Sequence, residues 1–138
     1  MVDPWHTEGI VKDTPEEVEA AARRNVRAFG DRAMIVKMTS VAAADYLLDG
    51  GLAGKVDFVY IDALHDEENV RNDINAWWPL VREGGLLMGH DYGRERPPKT
   101  QPGTPDWAVK KVVDDWANSL GLKVSARDFT WSVKKAVT

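Results

Sequence analysis

The chain has 138 residues, 43% hydrophobic and 29% charged, with no cysteine and a formal net charge of -4. That length and composition suit one globular domain that buries roughly two-thirds of its unfolded surface. The acidic balance and scattered basic residues argue against a nucleic-acid partner, no apolar run reaches the length of a membrane span, no signal-peptide pattern opens the chain, and the absence of cysteine removes disulfides and thiolate metal sites and suits a cytoplasmic protein.

Thr14-Pro15-Glu16-Glu17 combines an N-cap, a proline at the first helical position and a capping-box glutamate, so a helix begins there. Val18, Ala22, Val26 and Phe29 recur on one face of it, and Gly30 is its natural stop. Residues 33–38 read as a short strand. Ser40 is placed to cap a second helix that runs through Ala42, Tyr46 and Leu47 to Gly50-Gly51. The run 56–62 is almost wholly apolar, which suits a strand covered on both faces. Val70, Ile74, Trp77 and Val81 fall at helical spacing and predict a third helix with that stripe on the sheet. Gly84-Gly85 then reads as a turn before a second central strand at 86–89, which ends in His90-Asp91. The proline-rich, charged stretch 93–104 is the one long irregular segment, a lid or a disordered loop beside those residues. Thr104-Pro105-Asp106 starts a last helix, with Val109, Val112, Val113, Trp116 and Leu120 inward and Gly121 ending it. Residues 122–125 and 130–134 are expected to pair as a terminal hairpin. Trp77 and Trp116 lie on core stripes, whereas Trp78, Trp107 and Trp131 differ in phase and read as partly exposed or as ordinary packing.

Strands alternating with helices argue an α/β three-layer sandwich with a mostly parallel sheet. Parallel strands deliver their C-terminal residues to one rim, where such sheets bind ligands. Asp62, His65, His90 and Asp91 are thereby carried to the same edge. Two carboxylates ~4 Å apart repel by ~4 kcal/mol at an effective dielectric of about 20, so Asp62 and Asp91 call for a cation, a proton or a basic partner. Mg²⁺ or Ca²⁺ suits carboxylate oxygens, His65 and His90 would select a transition metal, and simple capping of the strand-end loops is the alternative. Imidazole ordinarily titrates near neutral pH, which makes His65 the candidate general base beside Asp62, Asp66 or Asp91. The alternative for His65 is a surface histidine bonded to its own loop. His6, close to the N-terminus, is less informative.

The segments VDFVYIDALH, AWWPLV and REGGLLMGHDY, in that order, resemble the middle of the class I S-adenosylmethionine (SAM)-dependent methyltransferases. The resemblance is to the small-molecule O-methyltransferase-like group, whose fourth strand ends IDGxH and whose fifth ends HD or DD. Val2-Asp3-Pro4-Trp5 resembles the end of that family's second strand, and the element order fits as far as Lys135. The resemblance implies a truncated Rossmann-like methyltransferase fold with a C-terminal antiparallel hairpin, the family's first strand and GxGxG loop falling ahead of Val2. It implies SAM held by Asp3 at the ribose, Thr39 and Ser40 near the adenine, and Asp62, Ala63 and Leu64 near the methyl donor, with weak binding where the glycine loop is missing. It further implies a divalent metal such as Mg²⁺ on Asp62, His90 and Asp91, orienting a hydroxyl of a small-molecule substrate whose proton His65, the candidate base, would take. A sheet without its first strand must either pair residues 33–38 directly with 56–62 or find its neighbour in another chain; direct pairing together with a homo-oligomer is the expectation. Two rival readings stay open: a non-catalytic module that self-associates or binds a partner, and a metal-binding protein of other chemistry at the same rim.

Overall fold

Local capping chemistry sets the first helix. In the computed structural model, which describes residues 1–5, 14–94 and 107–137, α1 (Pro15–Val26) opens on the predicted capping box. The Glu17 N–H donates to the Thr14 hydroxyl at 3.3 Å and the Thr14 N–H donates to the Glu17 carboxylate at 2.7 Å. That second bond holds the Glu17 carboxyl below its ordinary range. At Gly30, with φ 53, the helix has already tightened into a 3₁₀ turn (Arg27–Arg32). Val18, Ala22 and Val26 are half-buried, but Phe29 is exposed rather than inward.

The described residues form two compact units, Met1–Ala43 and Ala44–Thr138. In the first, the strand predicted at 33–38 reduces to a single parallel bridge between Val2 and Val36. The Val36 N–H donates to the Met1 carbonyl at 2.9 Å and the Asp3 N–H to the Val36 carbonyl at 3.2 Å. Pairing stops there because the Trp5 N–H, the next donor that would face this segment, donates instead to Asp3 Oδ1 at 2.6 Å, and Trp5, at φ 50, turns the chain away. The expected pairing of 33–38 with 56–62 is therefore not formed. In α2 (Ser40–Asp49) the first helical bond runs from the Ala43 N–H to the Thr39 carbonyl at 3.0 Å, which puts Thr39 rather than Ser40 at the N-cap. The helix ends as predicted at Gly50-Gly51, Gly51 lying at φ 79.

The second unit holds a four-stranded sheet of order β1-β2-β4-β3, formed by β1 (Val56–Ile61), β2 (Val81–Gly89), β3 (Val124–Arg127) and β4 (Thr130–Lys134). β1 and β2 run parallel, joined through α3 (Glu67–Trp77), and the other two pairings are antiparallel. The sheet is thus mostly antiparallel, against the expectation of a mostly parallel one. Only one crossover unit joins it, and the predicted C-terminal hairpin supplies the rest. The hairpin turns at Asp128-Phe129, both at positive φ (50 and 63), the handedness that lets a two-residue loop join twisted antiparallel strands.

Two expected boundaries move for local reasons. Pro79 lies in the 3₁₀ turn Trp78–Leu80 and stops α3 at Trp77, so Val81 is a buried strand residue and not the end of a helical stripe. The Gly84-Gly85 pair lies inside β2. Val56 pairs with Val81 but Phe58 with Leu86, so the extra residues are absorbed as an irregularity at Gly84 (φ 72). A Cβ on Gly85 would stand 2.7 Å from the Asp57 carbonyl oxygen, so the backbones meet there as only glycine allows.

Val70, Ile74 and Trp77 of α3 and Val109, Val112, Val113 and Trp116 of α4 (Val109–Ser119) are buried, together with the sheet residues Val59, Leu87, Trp131 and Val133. Strand alternation puts those four on one face. Leu120, predicted inward, is exposed, since α4 has ended and Gly121 (φ 65) turns the chain. Trp131, which the sequence left as either partly exposed or ordinarily packed, is fully buried because it shares the inward face with Val133 two residues on. On the opposite face Phe58 is 62% and Tyr60 46% exposed, so within this unit β1 is covered on one side only, not on both. No described helix is long and apolar enough to cross a membrane. Residues 95–104, the predicted helix start at Thr104-Pro105-Asp106, and His6 lie outside the described residues.

Candidate functional site

Because β1 and β2 are parallel and Ile61 pairs with Gly89, the residues that follow both strands emerge side by side at their C-terminal edge. The His90 N–H carries the register one step further by donating to the Ile61 carbonyl at 3.1 Å. Gly89 is required for this approach, since a Cβ there would stand 2.6 Å from the Ile61 carbonyl oxygen and 2.8 Å from Trp131 Nε1. The next turn is made by Asp91 in the left-handed region at φ 59, a conformation that aspartate tolerates better than most residues.

That turn buries the Asp91 side chain, which is 6% exposed. His65 Nε2 lies 2.7 Å from Asp91 Oδ2, His90 Nδ1 lies 3.4 Å from the same oxygen, and Arg94 Nη1 donates to Oδ1 at 3.3 Å. Burial pushes the Asp91 carboxyl up, but the hydrogen bond and charge of His65, the charge of His90 and the Arg94 bond outweigh it and hold the group below its ordinary range. The His65 ring stacks on Trp107, with ring centroids 4.3 Å apart and planes 19° from parallel, and the Ala108 N–H donates to the His65 carbonyl at 2.8 Å. Asp62 is exposed at the mouth of this group. One ligand atom from each of Asp62, His65 and Asp91 lies within 4.8 Å of the other two.

Tyr92, the residue after Asp91, fastens this edge to its surroundings. Its N–H donates to the Phe129 carbonyl at 2.9 Å and its hydroxyl to Asp114 at 2.6 Å, while Lys110 pairs with Asp114. Burial and the Asp114 carboxylate push the Tyr92 phenol up, so it stays a protonated donor. The last turn of β2 is thus tied to α4 and to the hairpin.

Of the predicted residues, Asp62, His65 and Asp91 come together. Ala63 and Leu64 line a shallow depression beside them with Ile61, His90, Val109 and Trp131. His90 touches Asp91 but does not join the Asp62–His65–Asp91 group, in which His65 takes the place expected of it. Asp3, Thr39 and Ser40 belong to the first unit, where Asp3 Oδ1 accepts the Trp5 N–H at 2.6 Å. Two carboxylates and an imidazole at this spacing are a donor set that suits a divalent cation. Arg94 and Trp107 escaped the sequence reading. Arg94 stands one turn past Asp91 in a segment read only as loop, and Trp107 was weighed for exposure rather than for what its ring meets.

A family model described as "Methyltransferase domain" matches residues 1–92. An uncharacterized protein of Acanthamoeba polyphaga mimivirus is 30% identical over 87 residues, which is 62% of this chain and 37% of that protein. Among solved structures, a Corynebacterium glutamicum protein matches at a TM-score of 0.64 and 18% identity, over 90% of this chain and 57% of its own. A TDP-rhamnose 3'-O-methyltransferase of calicheamicin biosynthesis matches at 0.59 and 14%, over 96% of this chain and 56% of its own. The mycinamycin-pathway methyltransferase MycE, in complex with Mg and SAH, matches at 0.55 and 15%, over 75% of this chain and 33% of its own. At such identities these likenesses show the fold, a Rossmann-like methyltransferase one, and the chain spans little more than half the length of those structures at most. The family match, in contrast, takes in both Asp62 and Asp91 and covers well over half of the sequence, and by it the chain belongs to the methyltransferase-domain family.

Proposed function

We propose that the protein is a SAM-dependent methyltransferase acting on a hydroxyl of a small molecule. The observation that carries this reading is the His65–Asp91 pair, 2.7 Å apart at the C-terminal edge of the parallel β1–β2 pair and next to Asp62. Bound SAM would supply an electrophilic methyl group on a sulfonium centre. His65 takes the proton of the substrate hydroxyl, and the buried Asp91 carboxylate orients the ring and offsets the charge it gains. Resemblance supports Asp3 at the cofactor ribose, Thr39 and Ser40 at the adenine, and Asp62, Ala63 and Leu64 at the methyl donor. The alternative to proton transfer to His65 is a divalent ion, as the MycE structure contains, which would be held by Asp62, His65 and Asp91 and would polarise the hydroxyl in place of the base.

The exposed Phe58 and Tyr60 on β1, the terminal strand of the sheet, favour a second reading, a module whose role is to associate with a second copy of itself. Calorimetric titration with SAM and SAH, with and without Mg²⁺, followed by transfer of labelled methyl from SAM to a panel of small hydroxylated compounds, separates the two. His65→Ala and Asp91→Asn should lower transfer by about 100- to 10,000-fold while leaving SAM binding in place. Absence of SAM binding under every condition, in a protein that sediments as an oligomer, would leave the second reading standing.

A further inference from the structure

The imidazole of His65 is constrained on one edge and one face, and its backbone is fixed as well. Nε2 meets Asp91 Oδ2 at 2.7 Å, the ring lies nearly flat on the Trp107 indole, and the backbone beside it is fixed by the Ala108 N–H. At neutral and alkaline pH an aspartate carboxyl is ordinarily ionised, and an ionised carboxylate only accepts hydrogen bonds. The proton of a neutral His65 therefore sits on Nε2, and the lone pair sits on Nδ1. Among the described residues Nδ1 has no hydrogen-bond partner.

Asp91 alone cannot hold that arrangement. A single hydrogen bond at 2.7 Å lets the ring tilt about the bond, and a ring flip would put Cε1 in place of Nε2 and lose the bond. The indole face fixes the plane of the ring and opposes both motions. Trp107 is well placed for this because it precedes α4, which is itself pinned by Tyr92 to Asp114 and by Lys111 to Glu67 of α3 at 3.0 Å. We propose that Trp107 is a positioning residue which, together with Asp91, locks His65 in the Nε2–H tautomer and makes Nδ1 the proton-accepting atom. This inference rests on the methyl-transfer reading for its consequence in catalysis. In that step the O–H bond of the substrate breaks and its proton joins Nδ1; with SAM bound, the oxygen's electron pair would form the bond to the methyl carbon while the carbon–sulfur bond breaks and its pair returns to sulfur, leaving neutral SAH. His65 becomes an imidazolium lying against the Asp91 carboxylate and over the π-face of Trp107, two contacts that favour a cation.

The test uses the whole chain labelled with ¹⁵N-histidine, in EDTA and at mildly alkaline pH, read by long-range ¹H–¹⁵N correlation spectra. There are three histidines, so His6→Gln and His90→Gln assign the signals of His65. The expected spectrum shows the Nε2–H pattern in the wild type and in Trp107→Phe, which keeps an aromatic face. In Trp107→Leu the two nitrogen shifts should draw together as the tautomers exchange. An Nδ1–H pattern in the wild type overturns the proposal, as does an unaltered pattern in a folded Trp107→Leu. If Trp107→Leu does not fold, the spectra of the wild type and Trp107→Phe still decide, since loss of the Nε2–H pattern in either counts against the lock. In activity, kcat should fall about tenfold in Trp107→Leu and recover in Trp107→Phe, with KM for SAM unchanged. The spectra need no methyl donor. Expected spectra in an inactive protein would sink the methyl-transfer reading alone, and an active protein with the wrong tautomer would sink this one alone.

Discussion

Asp91 gathers three partners around one buried carboxylate, and its own backbone, at φ 59, is what turns that carboxylate inward. Asp91→Asn keeps the left-handed turn but removes the charge that His65 and Arg94 meet. It should destabilise the fold by about 1–3 kcal/mol in urea denaturation. The Asp91 carboxyl is held below its ordinary range in the folded state, so its contribution is fully present above the ordinary carboxyl value of about 3.9 and is lost as pH falls through the lower folded value. The stability difference between wild type and Asp91→Asn should therefore shrink as pH is lowered below about 3.9. Asp62 offers a different test because it is exposed. Asp62→Asn is expected to shift the melting temperature equally in EDTA and in Mg²⁺; a rise with Mg²⁺ in the wild type that this variant abolishes would instead assign a metal to the group. These residues were legible in the sequence because two consecutive strands ending in acids must present them at one rim. His90, expected in the metal group, meets Asp91 Oδ2 at 3.4 Å and stays outside the Asp62–His65–Asp91 group. Trp107 and Arg94 were invisible as site residues, since only the folded chain brings an indole 42 positions away onto the His65 ring.

The elements beneath the site depend on close backbone contact. At Gly89 a Cβ would collide with the Ile61 carbonyl and with Trp131, neither of which can move without disturbing the strand pairs on both sides of β2. Gly89→Ala should cost about 1–3 kcal/mol and displace Asp91 from His65. Gly121→Ala, at φ +65 but in open space, should cost only about 1 kcal/mol and leave the site unaltered. Urea titrations of both variants, with the His65 signal followed by NMR, check the contrast. Helix starts and stops were readable at Thr14 with Glu17, at Gly50-Gly51 and at Gly121, but not at Ser40, where Thr39 is the cap, or at Pro79, which stops α3 early. The paired glycines 84 and 85 misled because the same dipeptide serves a turn or an irregular strand, and only the approach of Asp57 decides which. Burial of Trp131 likewise depends on which face of β4 the helices cover, and the strand's own alternation does not reveal that.

Within the second unit, the uncovered Phe58 and Tyr60 offer apolar area to another surface. Sedimentation should show self-association that weakens with dilution, and Phe58→Glu should leave a monomer with unchanged melting temperature; a wild type that remains monomeric at high concentration would show that these side chains stay in water. The parallel crossover was the part of the architecture easiest to foresee, whereas the short first-unit bridge was not, since it is limited by the Trp5 N–H turning to the Asp3 side chain. The stack of His65 on Trp107 also has an optical consequence. The molecule carries six tryptophans, of which Trp5, Trp77, Trp116 and Trp131 are buried, while Trp107 lies 4.3 Å from an imidazole. A protonated imidazole accepts an electron from an excited indole and quenches it, so the emission of Trp107 should fall whenever His65 takes up a proton. Subtracting the spectrum of Trp107→Phe isolates that signal, and with it the protonation of the candidate base can be followed by light alone, in unlabelled protein and before any substrate is known.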